Sequence, residues 1–113
     1  MNKVIIDGCV QKDVKLFDEI ANFNISSITG TYSCMDNTEK NRFTYIRIIY
    51  PKHINEYMEE LLQPGCMIRI TGKIDSEQYE TINHKIVYNK VICAEKISKI
   101  RYNKDLDEYV EVL

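Results

Sequence analysis

Apolar and polar residues alternate along most of this chain, and the alternation is interrupted in one place. From position 21 the chain reads Ala21-Asn22-Phe23-Asn24-Ile25-Ser26, apolar at odd positions and polar at even ones. A period of two is that of a strand with one buried face, so a strand is predicted over residues 21–32. An earlier strand is predicted over residues 3–10, with Val4, Ile6, Gly8 and Val10 on one face and Ile5, Asp7 and Cys9 on the other. Gly8 inside it marks a bend or bulge. Residues 11–19 are polar apart from Val14, Leu16 and Phe17, and read as a curled continuation of that strand. Residues 33–42 are polar around Asp36-Asn37 and read as a loop. A third strand follows over residues 43–50. Tyr45, Arg47 and Ile49 share the face that must be wet, because an unpaired buried guanidinium is costly.

The interruption comes next. Ile54, Tyr57, Met58, Leu61 and Leu62 recur at helical spacing and predict one short helix, stopped by Gln63-Pro64-Gly65. Alternation then returns over residues 67–79. Ile68, Ile70 and Ile74 fall on one face, and Met67, Arg69, Thr71 and Lys73 on the other. Residues 80–83 read as a hairpin loop and residues 84–94 as a fifth strand, which Ile97, Ile100 and Tyr102 extend. Ile86, Tyr88 and Ile92 alternate with Val87 and Val91, so this strand is apolar on both faces, as suits a barrel wall or a subunit interface. The fold class is therefore all-β with one short helix. A lone helix between strands three and four is the layout of an OB fold, a five-stranded Greek-key barrel. Residues 1–102 form this domain, and residues 103–113 form a short acidic tail.

Composition narrows the chemistry. The chain of 113 residues suffices for one domain. It holds no apolar run of membrane-spanning length and no signal peptide, which places it in the cytoplasm. Four cysteines, Cys9, Cys34, Cys66 and Cys93, form no CxxC pair, so no zinc signature exists and buried, reduced thiols are expected. The two histidines, His53 and His84, sit in no recognisable motif. With no phosphate loop and no HExxH motif, no catalytic residue, metal site or cofactor is assigned.

The formal net charge is −2, yet it is unevenly spread. Asp105, Asp107, Glu108 and Glu111 lie in the tail, and setting them aside leaves 15 bases against 13 acids. Lys40, Arg42, Arg47 and Lys52 occupy residues 40–53 without an acid. Eight tyrosines and no tryptophan are present. One tyrosine in a strand is ordinary. Tyr45 beside Arg47, and Tyr79 in register with Arg69 and Lys73, make a set: rings for unstacked bases, and cations for phosphates.

These residues carry a resemblance. The opening Met1-Asn2-Lys3-Val4-Ile5-Ile6-Asp7-Gly8, the strand Ala21-Asn22-Phe23-Asn24-Ile25, and the gapless spacing from Tyr45 through the helix to Gly65, Gly72 and Tyr79 resemble the bacterial single-stranded DNA-binding protein family over roughly residues 1–100. Asp13 matches the aspartate of that family's K-D-P-E-like turn, with Val14 in place of the proline. The resemblance implies a non-enzymatic, sequence-tolerant binder of single-stranded DNA in replication, recombination or repair. It implies stacking on Tyr45, Tyr79 and approximately Tyr32, with Tyr88 on a strand-five tyrosine often seen in the family. It places Arg47 at a basic position of strand three, and Lys3, Arg69 and Lys73 near the phosphate path; Arg42 joins them from the basic stretch. It also implies a homodimer or homotetramer, and replication or recombination proteins as further partners.

The sequence departs from the family in three places. Pro51 stands where a further strand-three aromatic is usual. Asp75 and Glu77 stand where bases are common, which weakens phosphate binding. The tail lacks the family's long linker and terminal Pro-Phe, which suggests a variant of a phage, plasmid or other mobile element. A frayed terminus, a partner-docking tip and a segment folded over the groove all fit it, fraying best. Asp75, Glu77 and Pro51 also admit an alternative, an OB adaptor resembling primosomal proteins with weak DNA binding. An RNA- or tRNA-binding OB domain shares the fold, but no motif supports it.

Overall fold

A computed structural model describes residues 1–112. Its elements in chain order are β1 (Val4–Val10), β2 (Lys15–Leu16), β3 (Ala21–Ser33), β4 (Glu39–Tyr50), α1 (Glu56–Leu61), β5 (Met67–Glu80), β6 (Ile86–Asn103) and β7 (Glu108–Glu111). Strand pairing runs β1–β5–β6–β4–β3 and returns from β3 to β1 through Cys9–Ser26 and Val10–Ile25. This ring of pairings, with one short helix, is consistent with the expected OB fold.

The core follows from the alternation. Phe23 and Ile25 of β3, Ile48 of β4 and Ile68 and Ile70 of β5 are buried on the inner face. Helix α1 adds Met58, Leu61 and the following Leu62. Asn55 caps the helix, its side chain accepting from the Met58 amide at 2.8 Å. Tyr57, expected on the apolar face, is exposed instead, because a helix this short turns only one narrow stripe inward. Gly8 is where β1 crosses β3 closely. A Cβ there would lie 2.9 Å from the Ser26 carbonyl oxygen, so the expected bend is a close approach of two backbones.

Several boundaries differ from expectation. The curled continuation after β1 is broken at Asp13, whose φ of 68° is left-handed, and only Lys15–Leu16 pairs with β3. The expected loop 33–42 is mostly strand: β4 begins at Glu39, and the turn is confined to residues 34–38. Likewise the β5–β6 turn spans residues 81–85, with His84 left-handed. The four cysteines are unpaired and half-buried rather than buried. Strand β7 pairs with the end of β6 from Ile100–Glu111 to Asn103–Glu108, so this part of the acidic tail is a hairpin strand where fraying was expected.

Two hairpin arms leave the ring of paired strands. β3–β4 runs out to Ser33–Glu39, and β5–β6 to Glu80–Ile86. β4 and β6 are parallel neighbours through Ile48–Ile92 and Ile49–Cys93, and each descends from its tip, so both tips project from the same end. Ile74, expected in the core, stands at the root of one arm and is half-exposed. The radius of gyration of 16.1 Å exceeds the roughly 13 Å of a globule this long, as projecting arms require.

Candidate nucleic-acid interface

Alternation along β4 sets the interface. Phe43, Tyr45, Arg47 and Ile49 point outward, opposite Ile46, Ile48 and Tyr50. Their partners on β3 are Ile28, Ser26, Asn24 and Asn22, which are the outward residues there. On β5 the outward residues include Lys73, Asp75, Glu77 and Tyr79, whose partners on β6 are Cys93, Val91, Asn89 and Val87. Tyr45 is 69% exposed and Tyr79 50%. The structure thus brings Tyr45, Arg47 and Tyr79 to one face, with Lys73 further along it.

Arg47 is not a free cation on that face. Its Nε lies 2.9 Å from Glu77 Oε1. Asp75, two residues before Glu77, is exposed on the same face. The departure seen in the sequence therefore has a geometric form: the base on β4 is paired with an acid on β5.

The other expected site residues separate. Tyr32 pairs with Lys40, and Lys40 and Arg42 alternate with Tyr45, so Tyr32 and Arg42 lie on the opposite face of their arm. Tyr88 pairs with Gln78 and lies opposite Tyr79. Lys3 precedes β1; Val4 registers with Gly72, which sets Lys3 beside Lys73. Arg69 is committed elsewhere. It donates from Nε to Asp7 Oδ1 at 2.7 Å, and from Nη2 to Asp7 Oδ2 at 2.9 Å and to the Tyr109 carbonyl at 3.0 Å. The Asp7 hydrogen bonds raise its pKa further above the usual arginine range, against the opposing effect of desolvation. It is a clip joining β1, β5 and β7 rather than an open phosphate contact.

One aromatic escaped the sequence reading. Phe43 is half-exposed on the same face of β4 as Tyr45, and its position two residues before Tyr45 was the available signal. Over β1 lies a concavity of about 810 Å³ lined by Ile5, Ile28, Phe43, Met67, Arg69 and Tyr109, among others. Among the described residues no group of three His, Cys, Asp or Glu side chains could hold a metal ion, and no helix is long and apolar enough to cross a membrane.

An all-β chain whose strands pair in a ring, with one short helix and two projecting hairpin arms, is consistent with the OB class. A family model narrows this: the Single-strand binding protein family matches residues 1–100, and the chain belongs to that family. No curated protein matches. Among solved structures, one from Plasmodium falciparum, described as an SSB complex with ssDNA, is similar with a TM-score of 0.66 at 17% identity. The match covers 99% of this chain and 95% of that one, a likeness of fold along nearly the whole length.

Proposed function

We propose that this chain is a sequence-tolerant, non-catalytic binder of single-stranded DNA built on a five-stranded Greek-key OB barrel. The observation that carries the reading is the joint exposure of Tyr45 and Tyr79 on one face of the arms, with Arg47 between their strands' ends and the core. Bases stack on these rings whatever their identity, because every base has a π-face. Membership of the family and the fold shared with an SSB solved in complex with ssDNA support the same ligand. Replication, recombination or repair is the setting this activity serves.

The test uses intrinsic tyrosine fluorescence. Titration with a polythymidine oligonucleotide should quench the signal in a salt-sensitive way, and duplex DNA should not. Absence of quenching, together with absence of binding in a filter or anisotropy assay, would sink the reading.

Self-association belongs to the same proposal. Over residues 4–8, β1 is paired with β5 alone, and its outward Ile5 is 60% exposed at the concavity with Ile28 and Phe43. An open strand edge beside apolar side chains is a template for a second strand. A homodimer or homotetramer through β1 is the expected state, and sedimentation of wild type against Ile5→Glu tests it. The Arg47–Glu77 pair favours a second reading, an adaptor whose partners are replication or recombination proteins and whose DNA affinity is slight. Unchanged oligonucleotide binding in Tyr45→Ala would favour it.

A further inference from the structure

The acidic end of the chain forms one wall of the concavity over β1. Along β7 the side chains of Tyr109 and Glu111 share a face, opposite Val110. Both line the concavity, together with Ile5 of β1, Ile28 of β3, Phe43 of β4 and Met67 of β5. β3 flanks β1 on one edge and β5 on the other. The concavity therefore lies between two walls, Ile28 and Phe43 on the β3 side and Tyr109 and Glu111 on the β5 side. Three contacts fix the second wall. β7 pairs with β6 from Ile100 to Asn103, Arg69 Nη2 holds the Tyr109 carbonyl at 3.0 Å, and the Val112 amide donates to the Lys99 carbonyl at 2.8 Å. The Tyr109 ring packs edge-on against Tyr102, with centroids 5.6 Å apart, and is still 41% exposed. A ring already held in place loses little freedom when a partner covers it.

The charges of this surface are compensated within the chain. Asp7 and Arg69 pair at 2.7 Å, and Glu111 Oε2 lies 3.8 Å from Lys96 Nζ. A twofold interface sets a patch against its own copy, so a patch of one sign would meet like charge, and a compensated one does not. The same compensation leaves no field to select a polyanion or a basic peptide. The residues of the open β1 edge, Ile5 to Gly8, themselves line the concavity.

We infer that β7 is a clasp for a second copy of this chain. The partner enters between the two walls, where Tyr109 covers its apolar side chains and Glu111 closes the rim. The inference rests on the self-association through β1 proposed above. It adds a segment outside residues 1–100, the stretch the family model matches, so assembly depends on a strand particular to the end of this chain.

Sedimentation equilibrium of full-length wild type and Tyr109→Ala tests the clasp. The substitution keeps the backbone carbonyl that Arg69 holds, and hydrogen-exchange protection of the Val112 amide reports whether β7 stays docked. The dissociation constant of the assembly should rise about tenfold or more, as for an interfacial tyrosine in a packed contact. In parallel, carbodiimide treatment of mixed isotopically heavy and light wild type should join Glu111 of one protomer to a lysine of the other. Tyr109→Ala assembling as wild type does, or Glu111 links confined to its own chain, overturns the clasp; if the variant loses Val112 protection, the links decide. A wild type that sediments as a monomer throughout overturns the self-association reading and the clasp with it. Assembly abolished by Ile5→Glu but untouched by Tyr109→Ala overturns the clasp alone.

Discussion

Arg47 Nε and Glu77 Oε1 are 2.9 Å apart, so an ion pair joins β4 to β5 across the intervening β6. Its side chains are 43% and 28% exposed, and a pair so placed adds little to stability. Its effect is on ligand binding, because any phosphate that takes Arg47 must displace Glu77. Glu77→Gln should tighten oligonucleotide binding several-fold at low salt and steepen the salt slope by up to ~0.7, the share of one phosphate. An unchanged slope would mean that Arg47 never meets the backbone.

Tyr45→Ala and Tyr79→Ala should each weaken single-strand binding by ~1–3 kcal/mol, the range for one base–ring stack. Both rings are exposed, so the melting temperature should barely move. Anisotropy titrations alongside thermal melts separate the two effects.

Gly72 and Gly8 are positions where the paired strands admit no side chain. A Cβ on Gly72 would overlap the Cys93 carbonyl, and one on Gly8 would sit 2.8 Å from Ile25 Cδ1. Alanine at either should cost about 1–3 kcal/mol by overpacking. Urea unfolding with an unchanged m-value and a lower midpoint is the expected result.

Arg69 and Asp7 form the most enclosed ion pair described, at 2.7 Å and with side chains 26% and 32% exposed. Arg69 also holds the Tyr109 carbonyl. Arg69→Gln should destabilise by about 1 kcal/mol and loosen β7 more than the core strands. Hydrogen exchange should rise first at the Val112 amide, which donates to Lys99, before the β1–β5 ladder responds.

The turn of the β3–β4 arm carries an acid-sensitive contact. Thr38 donates to Asp36 from its hydroxyl at 2.6 Å and its amide at 3.1 Å, and these bonds lower the Asp36 pKa. A depressed folded pKa stabilises above the ordinary aspartate value, and that stabilisation is lost as pH falls through the depressed one. The Thr38 amide resonance should therefore titrate below the usual aspartate range while the domain stays folded.

The core strands were legible because each has one buried face; Phe23, Ile25, Ile48, Ile68 and Ile70 all fall where alternation put them. The arms were not, because both their faces are wet and no hydrophobic period survives. Residues 33–42 therefore read as loop although Glu39–Tyr50 is strand. Tyr32 was grouped with Tyr45 by the family resemblance, and even positions of β3 do face outward as far as Ile28. The bulge between Ile28 and Gly30 inserts one residue and turns Tyr32 to the other face, a shift that alternation cannot announce. The Arg47–Glu77 pairing needed the strand order, although Glu77 was already visible as an acid in a basic place. Strand β7 was hidden for want of a strong pattern in so short a segment.

β6 belongs at once to an arm, to the ring of paired strands and to the β7 hairpin. Its register with β5 slips once, where Thr71–Lys96 gives way to Gly72–Ala94, leaving Glu95 as the extra residue, and Lys52 Nζ donates to the Glu95 carbonyl at 2.6 Å. That makes β6 a lever with a pinned fulcrum. One exposed lysine thus holds the residue at which the two registers of β6 meet, between the limb that forms the arm and the limb that carries β7.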